Sequence, residues 1–176
     1  VIYSIKSYSV QANPEGAYLQ WIEPISFYDF FILQELGRTV DGYRSSSFMY
    51  KDKNSGDFQG RLVAGPMWDF NLSYGNADYC DAFLTTGWQY NFDQICNFTT
   101  QIPFWWNRLL DAPSYRNGLR CRWEELRQGP LHTDSINYWI DSMALELQDA
   151  RIRNFIQWPI IGEYVNWNAF VGNTYE

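Results

Sequence analysis

The sequence predicts an α+β fold in which helices dominate. Apolar residues recur at helical spacing over 27–38, 113–128 and 134–150. Two short segments, 46–51 and 61–67, alternate in the way that is typical of a β-hairpin. Hydrophobic residues make up 46% of the chain and aromatic residues 19%, which indicates a packed core. With 176 residues, the chain has the length of one ordinary domain.

The N-terminal part of the chain contains one clear helical pattern. Residues 1–12 alternate as a short strand would, residues 13–16 form a turn motif, and 1–24 as a whole receive no firm assignment. We expect Ser26 to cap a helix over 27–38. Its predicted buried face consists of Phe27, Phe30, Phe31, Leu33 and Leu36.

The predicted hairpin separates two aspartates. A polar connection, residues 51–60, joins its strands, so that Asp41 lies just before the hairpin and Asp69 just after it. Both carboxylates are therefore expected at the same end of the small sheet. Asp69 also stands in an apolar stretch, where a buried carboxylate would need a partner or a metal ion.

The three cysteines leave two arrangements open. Residues 75–101 predict a long irregular loop, and such loops are usually functional or cross-linked. A bridge between Cys80 and Cys96 would close most of that loop and stabilise the fold by about 3 kcal/mol. Three free buried thiols are the alternative. Cys121 lies inside a helical pattern and is expected to be a buried thiol.

Helical patterns recur from residue 102 to residue 150, and the rest of the chain, to Glu176, receives no assignment. Gly129-Pro130 ends the second pattern, and Thr133 is expected to cap the third. The single histidine, His132, is expected at the surface or in a capping role. Four tryptophans at helical spacing are predicted to lie in the core: Trp105, Trp106, Trp123 and Trp139.

Composition excludes several classes of function. The net charge is −7 and no basic stripe occurs, so nucleic acid and anionic membranes are not expected partners. No apolar run reaches the roughly 20 residues that cross a bilayer. One histidine makes Ser-His-Asp and Cys-His catalysis improbable, and no glycine-rich phosphate motif is present. Carboxylate chemistry remains: glycoside hydrolysis, or phosphoryl transfer with a hard metal ion held by oxygen ligands.

The order of polar residues around the hairpin fits phosphoryl transfer. A protein kinase needs an aspartate that orients the acceptor hydroxyl and a polar residue five positions later that holds metal. A second aspartate, after a hairpin, holds the metal that bridges the phosphates. Here the order is Asp41, Ser46, the hairpin, then Asp69-Phe70-Asn71. No glycosidase motif surrounds either aspartate, which disfavours hydrolysis of a glycan.

The amino-acid sequences of these motifs resemble those of one protein family. LQELGRTVDGYRSSSFMYKD, AGPMWDFNLSYGN and the later PFWWNRLL and RWEELR resemble the spore-coat protein H (CotH) kinase-like family, in its secreted, gut-bacterial branch. The resemblance spans roughly residues 25–165. It implies the C-terminal catalytic lobe of an atypical protein kinase fold, with the hairpin between the two acidic motifs. It also implies ATP, Mg²⁺ or Mn²⁺ and a protein substrate outside the cytoplasm.

The resemblance assigns roles by position. Asp41 would be the catalytic aspartate and Asp69 the metal ligand. Ser46 would replace the usual catalytic-loop asparagine, and Asn71, in place of glycine, would lie close enough to touch the metal. Arg44 would either face phosphate or form a structural ion pair.

Three departures from the kinase pattern limit what the chain is expected to do alone. Thr39 and Val40 replace the usual His-Arg, and Ser46 is a weaker metal ligand than asparagine. Lys6 lies too close to Asp41 to be the phosphate-placing lysine, and Glu35 is interpreted as a helix-face acid. The nucleotide-binding lobe is therefore expected elsewhere in a longer parent chain. We expect these 176 residues to be inactive by themselves.

A second function fits the same motifs. A non-catalytic surface module of this fold would bind a protein or a glycan, with the aromatic residues of 79–92 as the contact surface. Both functions imply an extracytoplasmic setting. The acceptor, the oligomeric state and the other domains of the parent chain do not follow from the sequence.

Overall fold

A computed structural model describes residues 16–57, 59–96 and 102–174. The predicted strand at 1–12, Lys6 and the end of the predicted loop at 97–101 lie outside these residues. The helices are α1 (Pro24–Gly37), α2 (Phe92–Ile95), α3 (Trp105–Asp111), α4 (Pro113–Arg127), α5 (Thr133–Glu146) and α6 (Gln148–Gln157), the strands are β1 (Met49–Lys51) and β2 (Leu62–Ala64), and a 3₁₀ turn covers Gln89–Asn91. The described part is thus mainly helical with one small sheet, which confirms the predicted α+β class.

Helix α1 begins earlier than predicted. Glu23 is the N-cap, and its carboxylate accepts the amide of Ser26 at 2.7 Å. Pro24 occupies the first helical turn, where its fixed φ and missing N–H favour helix initiation. The prediction that Ser26 caps the helix was therefore wrong. The Ser26 hydroxyl instead donates to the Glu23 carbonyl and accepts the amide of Ala64 at 3.1 Å, which ties α1 to β2.

The core forms around Trp106. Phe30 stacks on its ring at 5.3 Å, and Tyr43 meets it edge-on at 5.1 Å. Phe27 and Phe31 also lie on the buried face predicted for α1, whereas Leu33 is half-buried and Leu36 is exposed at the helix end. Helix α4 closes the other side through Tyr115, whose hydroxyl donates to the carbonyl of Phe27 at 3.3 Å. The core therefore joins α1, α3, α4 and the loop that follows α1.

The hairpin is shorter than predicted. Met49 pairs with Ala64, Tyr50 with Val63 and Lys51 with Leu62 in antiparallel register. Pro66 lacks an N–H, so the ladder cannot continue beyond this point. Residues 65–70 follow in irregular conformation and lead to Asp69.

In the helices after residue 102, one cap and the burial of several side chains differ from the predictions. His132 caps α5 by accepting the amide of Asp134 at 3.3 Å, which confirms its capping interpretation and replaces Thr133 in that role. Of the four predicted core tryptophans, Trp106 is buried and Trp105 half-buried, while Trp123 and Trp139 are exposed. Cys121 is exposed as well, so the prediction of a buried thiol was wrong. Within the described residues, no helix has the length and apolar character that crossing a membrane requires.

Candidate functional site

A tight loop after α1 shapes the first half of the site. The carbonyl of Asp41 accepts the amides of Arg44 at 3.2 Å, Ser45 at 3.0 Å and Ser46 at 2.9 Å. These three bonds curl the chain around Asp41. The loop therefore turns Arg44 back toward Asp41 and carries Ser46 forward toward the segment after the hairpin.

Arg44 holds the carboxylate of Asp41. Its Nη2 lies 2.8 Å from Asp41 Oδ1, and its Nε donates to the carbonyl of Val40 at 3.0 Å. The Arg44 side chain is 7% exposed and that of Asp41 31%. Of the two interpretations of Arg44, the structure shows the ion pair, with the Asp41 carboxylate partly open to solvent.

Asp69 meets Ser46 across the site. The Ser46 hydroxyl donates to Asp69 Oδ2 at 3.2 Å. Asp69 has φ of 66°, a left-handed conformation that aspartate tolerates better than most residues. The expectation of a buried carboxylate was wrong, because Asp69 and the neighbouring Trp68 are both exposed. A buried hydroxyl of the loop after α1 thus meets an exposed carboxylate of the segment after the hairpin.

A second contact joins the same two segments, and the sequence gave no signal for it. The buried Ser73 hydroxyl donates to the hydroxyl of Thr39 at 3.0 Å. Thr39 precedes Asp41 by two residues, and Ser73 follows Asp69 by four. Small hydroxyl residues on both sides would be the only hint. Asn71 is exposed, and its carbonyl accepts the side-chain amide of Asn76 at 3.1 Å.

The donor set at Asp69 suits a hard divalent cation. Asp69 and Ser46 offer only oxygen atoms, and among the described residues no group of three His, Cys, Asp or Glu side chains could hold a metal ion. Magnesium commonly uses one or two carboxylates and completes its shell with water and substrate phosphates. The residues present therefore fit Mg²⁺ or Mn²⁺ bound together with a phosphate ligand.

A family model described as CotH kinase protein matches residues 2–174, nearly the whole chain. The chain belongs to the CotH kinase protein family. The match confirms the family that the two acidic motifs predicted. No curated protein and no solved structure matches the chain.

Glu35 has a role in this CotH chain that the sequence did not reveal. Its carboxylate accepts the amides of Gln89 at 2.7 Å and Tyr90 at 2.9 Å and the hydroxyl of Tyr43 at 2.8 Å. Burial raises the pKa of Glu35, while these hydrogen bonds lower it. Glu35 lies on α1, as its interpretation as a helix-face acid requires, and a loop folds over this end of the helix and covers the carboxylate.

The cysteines of that loop are joined. Cys80 and Cys96 form a disulfide with a Cα–Cα distance of 5.3 Å. Tyr79, just before the bridge, lies near Asp41: burial raises the pKa of its phenol, and the charge of Asp41 adds to the rise. In the segment 79–92, Phe83 and Trp88 are exposed, whereas Phe92 is buried.

Proposed function

We propose that this CotH chain provides the catalytic half of a protein kinase that uses ATP and Mg²⁺ or Mn²⁺. The observation that carries the proposal is the 3.2 Å hydrogen bond from Ser46 to Asp69. It joins the loop of Asp41 to the segment after the hairpin, in the order that phosphoryl transfer requires.

Each side chain has a separate task in this proposal. Asp41 accepts the proton of the acceptor hydroxyl and orients that hydroxyl, while Arg44 fixes the direction of the carboxylate. Asp69 and Ser46 hold the metal ion, and Asn71, two residues after Asp69, has an exposed side chain that could reach it. The ion would neutralise charge on the phosphates when bound.

The setting of the reaction is also part of the proposal. The Cys80–Cys96 disulfide supports an oxidising, extracytoplasmic location, since such bonds are rare in reducing compartments. Among the described residues, no lysine forms a hydrogen bond or ion pair with Asp69 or Ser46. We therefore propose that a separate part of the parent protein places the α- and β-phosphates. The protein acceptor is left open.

The test is transfer of labelled phosphate by the full-length gene product. Wild type, Asp41→Asn, Asp69→Asn and the control Asp57→Asn, an exposed turn residue, are incubated with labelled ATP, Mg²⁺ or Mn²⁺ and casein as a general acceptor. We expect losses of about 100-fold or more for the first two variants and none for the control. Equal signal from all four proteins would contradict the proposal, as would a wild type that is silent with every metal, including in self-phosphorylation.

The 176-residue chain is tested beside the full-length protein. We expect it to transfer no phosphate, because Asp41, Ser46 and Asp69 supply no group that places the α- and β-phosphates. Turnover by the short chain would show that the missing lobe is not needed.

One observation favours a non-catalytic alternative. A cavity of about 750 Å³, whose lining does not include Asp41, combines the rings of Trp88, Tyr90 and Trp123 with polar and charged side chains such as Asn107 and Arg116. Aromatic rings with a few polar groups are a common lining of ligand sites, and here they would suit a neutral oligosaccharide.

This alternative is tested by calorimetry with cellohexaose and xylohexaose. Trp88→Ala should abolish binding, whereas Trp158→Ala, with 59% exposure against 58% for Trp88, should not change it. Binding of neither sugar by the wild type would remove the alternative. Asp69→Asn separates the two functions, because it should leave sugar binding intact.

A further inference from the structure

The disulfide closes a loop with little regular structure. The loop, residues 80–96, contains only the 3₁₀ turn and the four-residue helix α2. Its first residues, Cys80 and Asp81, both have positive φ, at 50° and 56°. The loop therefore depends on its cross-link and on its contacts with the rest of the molecule for its conformation.

One contact of this disulfide loop leads directly to Asp41. Phe92, at the start of α2, is buried, and the guanidinium carbon of Arg44 lies 5.4 Å from its ring centroid. A cation over an aromatic face is attracted by the ring, more strongly when both are shielded from water. Arg44 in turn holds Asp41 at 2.8 Å. Loop, ring, guanidinium and carboxylate form one continuous series of contacts.

Two further contacts connect the loop to the same turn of chain. Glu35 accepts the amides of Gln89 and Tyr90 and also the hydroxyl of Tyr43, the residue before Arg44. Arg38, three residues before Asp41, donates to the carbonyls of Thr86 and Asp81 from its two terminal nitrogens. The loop thus meets the chain around Asp41 through three independent sets of polar or cationic contacts.

We infer that the disulfide loop positions Asp41 and Ser46, with Phe92 and Glu35 as positioning residues that act through Arg44 and Tyr43. The inference extends the proposed function, since it concerns the same site. The bridge limits the movement of α2, α2 fixes the ring of Phe92, and the ring fixes the guanidinium that aims the Asp41 carboxylate. Reduction of the disulfide would therefore let α2 move, and Phe92 would no longer hold Arg44 and Asp41 in place.

The first experiment does not depend on activity. Amide hydrogen exchange is measured at Arg44, Ser45 and Ser46, whose amides bond to the Asp41 carbonyl, in the oxidised protein and after reduction with dithiothreitol. We expect exchange at these amides to accelerate at least about tenfold, because local opening becomes easier. Amides in α5, which lies outside the disulfide loop in the sequence, serve as the internal control and should not change. Unchanged exchange at residues 44–46 would overturn the inference.

The second experiment keeps the bridge and changes the ring. Phe92→Leu retains apolar volume but removes the aromatic face beneath Arg44, and Phe83→Leu makes the same change at an exposed position of the same loop. We expect Phe92→Leu to lower kcat about fivefold with KM for ATP unchanged, and Phe83→Leu to change neither. Equal behaviour of the two variants, or a change confined to KM, would overturn the inference.

The two proposals fail in different ways. Absence of phosphate transfer by the oxidised wild type contradicts the proposed function. Slow exchange at residues 44–46 after reduction contradicts the positioning role, whether or not the protein transfers phosphate.

Discussion

Two regions of this molecule have apolar residues at helical spacing, but these residues are buried in one region and exposed in the other. Residues 16–127 contain α1, an apolar helix whose aromatic residues are buried against Trp106 and Tyr115. Residues 133–174 contain α5 and α6, whose apolar residues also recur at helical spacing. Neither helix contains a buried residue. In α5, the stripe of Trp139, Ile140 and Met143 lies open to solvent.

The difference shows what helical spacing does and does not determine. Spacing predicts that a helix has an apolar face, because residues three and four apart share one side. It does not predict which surface covers that face. In the first region, α1 meets α3, α4 and a folded loop, whereas α5 and α6 meet little besides each other in the part of the chain that the structure describes.

The largest expected effect compares one change in both regions. Trp106→Ala removes the ring on which Phe30 stacks and should lower the free energy of unfolding by about 3–5 kcal/mol. Trp139→Ala, at 53% exposure, should change it by about 0.5 kcal/mol or less. Urea titration followed by circular dichroism measures both. Similar losses would mean that the face of α5 is covered in solution.

The second comparison uses the cysteines. Replacement of both Cys80 and Cys96 by serine should cost about 3 kcal/mol, because the unfolded chain regains the freedom of the loop. Cys121→Ser, at an exposed position on α4, should stay within about 0.5 kcal/mol of the wild type. Unfolding in guanidinium chloride gives both values. A double serine variant as stable as Cys121→Ser would contradict the structural role of the bridge.

The third comparison concerns Glu35, a half-buried carboxylate of α1, because the carboxylates of 133–174 are all exposed. Burial raises the pKa of Glu35 above its ordinary value of about 4.5. As pH rises from about 4.5, the unfolded state loses this proton first, so the stability difference between wild type and Glu35→Gln should fall. The slope is at most about 1.4 kcal/mol per pH unit, and the fall ends above the raised pKa.

Thermal unfolding over a pH series measures this difference. Tyr43→Phe removes a hydrogen bond that lowers the pKa of Glu35, so in that background the fall should extend to higher pH. If the stability difference between wild type and Glu35→Gln stays constant or rises with pH, folding does not raise the pKa of Glu35.

The smallest expected effect lies on the open face of α5. The double change Ile140→Gln and Met143→Gln should alter the free energy of unfolding by about 0.5 kcal/mol or less, because both side chains are already in water. Binding of a hydrophobic dye should fall in the same variant. A large loss of stability would indicate that this face is covered in solution, which would remove the contrast between the regions.

The features that could be predicted from the sequence depend on residues close together in the chain. The spacing of Asp41, Ser46 and Asp69 around a hairpin gave the candidate site, and the structure brings Ser46 into contact with Asp69. The positions of α1, α4 and α5 also followed from the sequence, because apolar period and Pro or Gly signals are properties of neighbouring residues, whereas α2 and α6 were not predicted.

Features that depend on distant segments could not be predicted. The Glu35 carboxylate is shielded from water because residues 89 and 90 fold over α1, and Ser26 bonds to Ala64 because β2 lies beside that helix. Thr39 meets Ser73 across 34 residues of chain. No periodicity in the sequence encodes such pairs.

The central claim is that Asp69 and Ser46 form the metal half of a site whose catalytic half is Asp41. Electron paramagnetic resonance of Mn²⁺, titrated into the full-length protein with ATP, counts bound metal directly. The account predicts that Asp69→Asn weakens Mn²⁺ binding about tenfold or more while Asp41→Asn leaves it unchanged. Equal binding by wild type and Asp69→Asn, or no nucleotide-dependent binding by the wild type, would contradict it.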